Sequence, residues 1–150
     1  MKLDTGQVAR NLDKLTVFTE DAAREGLTIA GIMLMNDTIT DIPTAPIDTS
    51  ELRGSGGVFV SGKRVAVSTH GIPISQPGPG VGERKADQLV AEVIFNAKHA
   101  LIQHEAFPTK KVKGAGMKYL EKKIFGNARS YFKAISDTMK QEIRKYRTIA

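Results

Sequence analysis

The chain has no cysteine among its 150 residues. That excludes disulfides, thiolate metal sites and cysteine nucleophiles, and it suits manufacture in a reducing cytoplasm. Histidine is scarce, with three residues, so acid–base chemistry near neutral pH would fall to His70, His99 or His104. Long apolar runs are missing too. The longest nearly apolar stretch, Leu27 to Met35, contains Thr28 and Gly31 and spans nine residues, far short of the roughly 20 that a membrane crossing needs. The opening MKLDTGQVAR has no apolar signal core, so a soluble protein with no membrane partner is expected. No internal repeat or homopolymeric run divides the chain, and a single domain spanning 1–150 is the expectation.

Apolar residues are not in short supply. They make up 41% of the chain, with 14 glycines besides, which is the usual globular share. A chain of this length can bury roughly 70% of the surface its unfolded form exposes. Charge is distributed unevenly. Residues 1–70 carry 7 Lys/Arg against 9 Asp/Glu, whereas residues 71–150 carry 15 against 7. The excess is concentrated in residues 110–147, with 12 bases and 3 acids, a balance that favours an acidic protein face, a membrane surface or nucleic acid, or serves as a solvated helix face.

Asp4 and Gln7 have capping-box spacing. Val8, Leu12, Leu15, Phe18, Ala22, Ile29 and Met33 then recur at helical steps, predicting a long amphipathic helix over about residues 5 to 35. Such a helix would be about 46 Å long, more than the ~30 Å diameter of a compact domain of this size, so it should protrude, or kink at Gly26 or Gly31. From Asn36 to Pro46 the periodicity breaks and a linker is expected. Asp48 and Glu51 repeat the capping-box spacing and predict a helical turn through Leu52, stopped by Gly54, Gly56 and Gly57.

Val58–Val60 and Val65–Val67 flank Ser61-Gly62 as two strands flank a hairpin turn. His70 to Arg84, with four glycines and three prolines, supports no regular element. Gln88 to Asn96 reads as a strand with Leu89, Ala91, Val93 and Phe95 on one face. Beyond a glycine and lysine loop at Thr109–Gly116, Met117, Leu120, Ile124, Ala128, Tyr131, Ile135, Met139 and Ile143 keep helical spacing, with Gly126 the one weak point. The expected fold is α+β: an antiparallel sheet of about four strands covered by a long N-terminal and a long C-terminal helix, with extended loops.

No catalytic constellation is legible, and no enzyme is expected. His99 and His104, five apart, are not presented together by a strand or a helix, so metal binding is not expected. Gly78-Pro79-Gly80-Val81-Gly82 lacks the spacing of a phosphate-binding or dinucleotide-binding loop. Pro79 also removes a backbone N–H of the kind that cradles phosphate. No cofactor is expected. Tyr119, Phe125, Tyr131, Phe132 and Tyr146 lie on or beside the apolar stripe, and core packing is the expected use of most of them rather than stacking on single strands. The lysines could still meet phosphates without sequence preference.

Three segments together resemble the minor capsid, neck and tail-completion proteins of long-tailed bacteriophages. A Pro-x-Asp-Thr-Gly-x-Leu-Arg stretch of that family is similar to Pro46-Ile47-Asp48-Thr49-Ser50-Glu51-Leu52-Arg53. The family's strand ending in a tyrosine–asparagine pair, running on to Gln-His-Glu, is similar to Phe95-Asn96, His99-Ala100 and Gln103-His104-Glu105. The opening of the last helix is similar to Lys118-Tyr119-Leu120-Glu121-Lys122. The order agrees over the segment Ile42 to Phe125. Ser50 replaces a favoured glycine, and Phe95 and His99 replace favoured tyrosines. The resemblance implies a structural subunit of the head–tail joint, a neck or tail-completion ring in the virion, generally six-fold. It would be made in the host cytoplasm, contact the connector on one side and tail-terminator or tail-tube proteins on the other, and surround the DNA passage. A tail terminator or another minor tail or capsid protein is the alternative within that class, and a sequence-independent DNA-binding module the alternative outside it. Asp48, Leu52, Arg53, Asn96, His104 and Glu105 are expected to hold the fold, with Asp48 as an N-cap and Arg53 paired with a carboxylate such as Glu105. Gly78, Pro79, Gly80, Lys110, Lys111, Lys113, Lys118 and Lys122 are the expected partner or DNA contacts.

Overall fold

The computed structural model describes residues 5–45, 51–68, 88–105, 114–116 and 118–149. The expected caps Asp4 and Asp48, the loop His70–Arg84 with Gly78, Pro79 and Gly80, and Lys110, Lys111 and Lys113 lie outside them. The architecture is α+β, with a three-stranded antiparallel sheet flanked by long N- and C-terminal helices. Among the described residues the sheet has three strands where about four were expected.

Helix α1 runs without interruption from Thr5 to Thr40, about 54 Å at 1.5 Å per residue. Threonine is a poor helix former because its hydroxyl competes for backbone groups. Here Thr16, Thr19, Thr28, Thr38 and Thr40 each donate that hydroxyl to the carbonyl four residues earlier, so the competition is resolved inside the helix. The linker expected from Asn36 begins later, at Asp41. Tertiary contacts override the broken periodicity. Met35 and Ile39 are buried on the sheet with Val58, while Asp37 is held by the C-terminal helix. Gly26 and Gly31 do not interrupt the helix, and both are contact points. A Cβ on Gly26 would lie 3.1 Å from the Ile135 backbone, and one on Gly31 would lie 2.5 Å from a Val58 methyl.

After α1 the chain passes a cis Ile42–Pro43 bond and Thr44, which bridges to Ala115. A short helix, α2, covers Glu51–Gly54. Strands β1 (Gly56–Val60) and β2 (Lys63–Val67) form the expected hairpin. Its two turn residues, Ser61 at φ 49° and Gly62 at φ 78°, take the left-handed conformations that a tight two-residue hairpin needs. Ser61 fastens the turn to the next strand by donating its N–H to Val90 and its hydroxyl to Gln88. Strand β3 (Ala91–Phe95) pairs with the other edge of β1, giving the order β2-β1-β3. The strand is shorter than expected. Val93 and Phe95 reach the core under α1, whereas Leu89 lies before the strand and is exposed.

Helix α3 covers Ala100–Glu105. The last helix breaks at its expected weak point into α4 (Tyr119–Gly126) and α5 (Ala128–Ile149). Helix α5 lies along α1, and α1 lies on the sheet. The two helices are antiparallel: Tyr131 meets Asp37, Ile135 meets Gly26, and Tyr146 stacks on Phe18 at 4.4 Å. The first turns of α1 therefore extend past Tyr146. No helix is long and apolar enough to cross a membrane among the described residues.

Candidate functional site

The segments that carry the resemblance meet at one side chain. Tyr119, the first residue of α4, is 2% exposed and packs with Ala45 from the end of the linker and Leu52 from α2. Around these lie Phe95, Ala97, Ala100 and Leu120. The Phe95 ring meets Tyr119 edge-on at 5.9 Å, and the His104 ring does so at 5.0 Å. Burial raises the Tyr119 phenol to about 12, because its charged form would lose hydration.

Backbone bonds stitch the same segments together. Ser55 donates its hydroxyl to Leu52, its Oγ accepts from the Ala97 N–H at 3.0 Å, and its carbonyl accepts from the Asn96 N–H. Asn96 thus joins through its main chain, and its side chain is exposed. Lys118 adopts a left-handed conformation at φ 51° as the N-cap of α4; its N–H donates to the His104 carbonyl at 2.7 Å.

Arg53 does not pair with Glu105. Its Nε donates to the Ala45 carbonyl at 2.7 Å and its Nη2 to the Thr44 hydroxyl at 2.9 Å. Burial pulls the guanidinium below its ordinary value. The fork faces the chain leaving α1, whose carbonyls have no helical donor, rather than the sheet edge. Glu105 instead lies 2.8 Å from His104 Nδ1. His104 Nε2 and Gln103 Oε1 are buried with no hydrogen-bond partner among the described residues. A carboxylate-held imidazole is one part of an acid–base pair. No hydroxyl or amine among the described residues is bonded to its other nitrogen, and no group of three His, Cys, Asp or Glu residues could hold a metal there.

Lys118 and Lys122 are placed differently from each other. The Lys118 ammonium bonds Glu121 at 3.0 Å, which raises it, while Lys122 is exposed. Sequence reasoning missed two further contacts. Asp37 Oδ2 accepts from Asn127 Nδ2 at 3.0 Å and from the Tyr131 hydroxyl at 2.7 Å, clasping α1 to the break between α4 and α5. Burial, and then Asp37, raise the Tyr131 phenol. Lys123, 6% exposed, donates to the Ile42 carbonyl. Asn127 directly after Gly126 was the available signal for the first; nothing in the charge pattern marks Lys123 as buried.

Grooves occur elsewhere. One of about 420 Å³ lies beside Val17, Phe18 and Tyr146, flanked by Asp13, Lys14 and Asp21. Another of about 380 Å³ runs between α1 and the hairpin turn, with Asp21, Arg24, Thr28, Ser61 and Lys63. The five C-terminal aromatics divide in their use: Tyr119 and Tyr131 are buried and Tyr146 is stacked, but Phe125 and Phe132 are 76% and 71% exposed. The chain matches no protein-family model, no curated protein and no solved structure.

Proposed function

We propose that the chain is a non-enzymatic assembly subunit, and more narrowly a component of the head–tail joint of a long-tailed bacteriophage. The observation that carries the reading is the convergence at Tyr119. The linker turn, the Gln103-His104-Glu105 stretch and the opening of α4 are separate in sequence, yet they form one packed and hydrogen-bonded unit. Segments chosen for their likeness to a family need not have touched. Their joint use as scaffold explains residues such as Arg53 and His104 without a reaction.

A subunit of this kind presents elongated surfaces to neighbours and keeps its scaffold rigid. The exposed first half of α1 and the outward face of α5 are such surfaces. The connector and a tail-terminator or tail-tube protein would be its partners, in a ring of copies, generally six-fold, around the DNA. The test is co-assembly: the tagged chain should copurify with a connector complex and close the head of tail-less particles. Failure to associate with either partner would overturn the reading.

The second reading, sequence-independent DNA binding, has one observation in its favour: the cations Arg129, Lys133 and Lys140 on the outward side of α5. Asp137 already pairs with Lys133 and lies 3.8 Å from Lys140, which lowers the net field a phosphate would meet. Tight, steeply salt-dependent retention of duplex DNA by the free chain would decide for that reading.

A further inference from the structure

Two aromatic rings stand out from the last two helices, each beside a cation at the same interval. Phe125 and Phe132 are 76% and 71% exposed. Lys122 lies one helical turn before the first and Arg129 one turn before the second, both exposed, and residues so spaced on a helix are neighbours. The cation–ring unit thus occurs twice, about 10 Å apart along the axis. Hydrogen bonds from the Asn127 N–H to Lys123 and from the Tyr131 N–H to Asn127 carry the helical pitch across the break between α4 and α5, so the two rings fall within about 20° of one another around it. Lys133 and Lys140, also exposed, continue the row of Lys122 and Arg129, the four lying within about 40° at ~100° per residue. Two parallel rows result, one of rings and one of cations. The acids nearest them are already paired, Asp137 with Lys133 and Glu121 with Lys118 at 3.0 Å. The other border of the rings is closed by the seam with α1, where Tyr131 is bonded to Asp37 and Ile135 lies against Gly26.

We infer that this face binds single-stranded nucleic acid, with bases stacked on Phe125 and Phe132 and phosphates drawn along the row from Lys122 to Lys140. A single strand carries its phosphates along one edge and its base faces open beside them, so a row of cations next to a row of rings meets both at once. Duplex DNA would satisfy only the cations, because its base faces are stacked inside. A bilayer favours an apolar face with cations on both borders, whereas here one border is α1. A protein partner would need a pocket for each ring but no repeat. The repetition of the cation–ring unit suits a polymer that itself repeats one phosphate and one base, and the separation of the rings corresponds to about three nucleotides of a stacked strand. The inference goes beyond the assembly reading and does not depend on it.

The full-length chain is titrated against a fluorescein-labelled oligothymidylate of about 20 nucleotides, a duplex of the same length and phosphatidylglycerol vesicles. The expected result is an affinity for the single strand about tenfold or more above that for the duplex, falling with salt at a slope of about −0.7 for each phosphate neutralised. Phe125→Ala and Phe132→Ala should each weaken single-strand binding about 5- to 100-fold without changing that slope, while Phe132→Tyr, which keeps a ring, should retain it. Lys122→Gln with Arg129→Gln should reduce the slope by about 1.4. All four positions are exposed, and an unchanged melting temperature checks that each variant keeps the fold. Equal affinity for the duplex, or undiminished binding in the alanine variants, would reduce the face to a phosphate contact and overturn the inference. Binding to the vesicles alone, or to none of the three probes at low salt, would overturn it as well. Copurification with the connector is read separately: its failure bears on the head–tail reading and leaves single-strand binding standing.

Discussion

Arg53 is the residue on which the linker turn depends. It satisfies the carbonyl of Ala45, a residue with no exposed surface, and the hydroxyl of Thr44. Arg53→Ala should therefore cost about 1–3 kcal/mol, since a buried acceptor loses its donor. In denaturant titrations Arg53→Ala and Glu105→Ala should be additive, while Arg53→Ala and Thr44→Val should be coupled. Coupling to Glu105 would restore the pairing expected from the sequence. Tyr119 gives a pH-dependent counterpart. Its folded-state value of about 12 lies above the ordinary 10. The folded chain thus keeps a proton that the unfolded chain loses, and stability is full below pH ~10 and declines as pH rises towards 12. Tyr119→Phe should remove about 2 kcal/mol of that decline, read as a flatter plot of unfolding free energy against pH between those limits. The residues of this junction were legible as a set, because their motif order pointed to them. Their pairings were not. A guanidinium accepts any oxygen within reach as its partner, and which one is nearest depends on how the linker leaves α1.

Among the elements, α1 carries the most tertiary information, and its glycines divide it from α4. Gly31→Ala would place a Cβ 2.5 Å from Val58, an overpacking that should destabilise by about 1–3 kcal/mol. Val58→Ala in that background should recover part of the loss. Gly126→Ala meets nothing within 4 Å and should stabilise by up to about 1 kcal/mol through helix propensity. Thermal melts of the three variants check the opposite signs; a stabilising Gly31→Ala would contradict the packing of α1 on β1. The hairpin was legible because Ser61-Gly62 is a turn signal tied to a known geometry. The end of α1 was not, because Asn36-Asp37-Thr38-Ile39-Thr40 reads as a linker by local propensity and is helical through contacts made by Asp37 and Ile39. The break at Gly126 was legible as weakness, although the use of Asn127 to clasp Asp37 could not be seen without the antiparallel register of α1 and α5.

At the scale of the whole molecule, a sheet, a helix lying on it and a second helix lying on the first leave two long outward surfaces. The α+β class came from the order of periodicities, long helical, short alternating, long helical. Which apolar positions would stay uncovered did not, since Leu12 belongs to a stripe that looks as regular as the buried one and Phe132 lies directly beside its own. The charge asymmetry between the halves of the chain takes on a spatial meaning in this arrangement, with Asp13 and Asp21 at the groove beside Phe18 and Tyr146 and bases on the outer side of α5. Both are surfaces for neighbours under the assembly reading. The most direct measurement is to label the chain in purified tailed particles, with an affinity tag at its C-terminus, and locate the label by electron microscopy. The account predicts label at the junction of head and tail in every complete particle. Particles that carry no label, or carry it away from that junction, would contradict it.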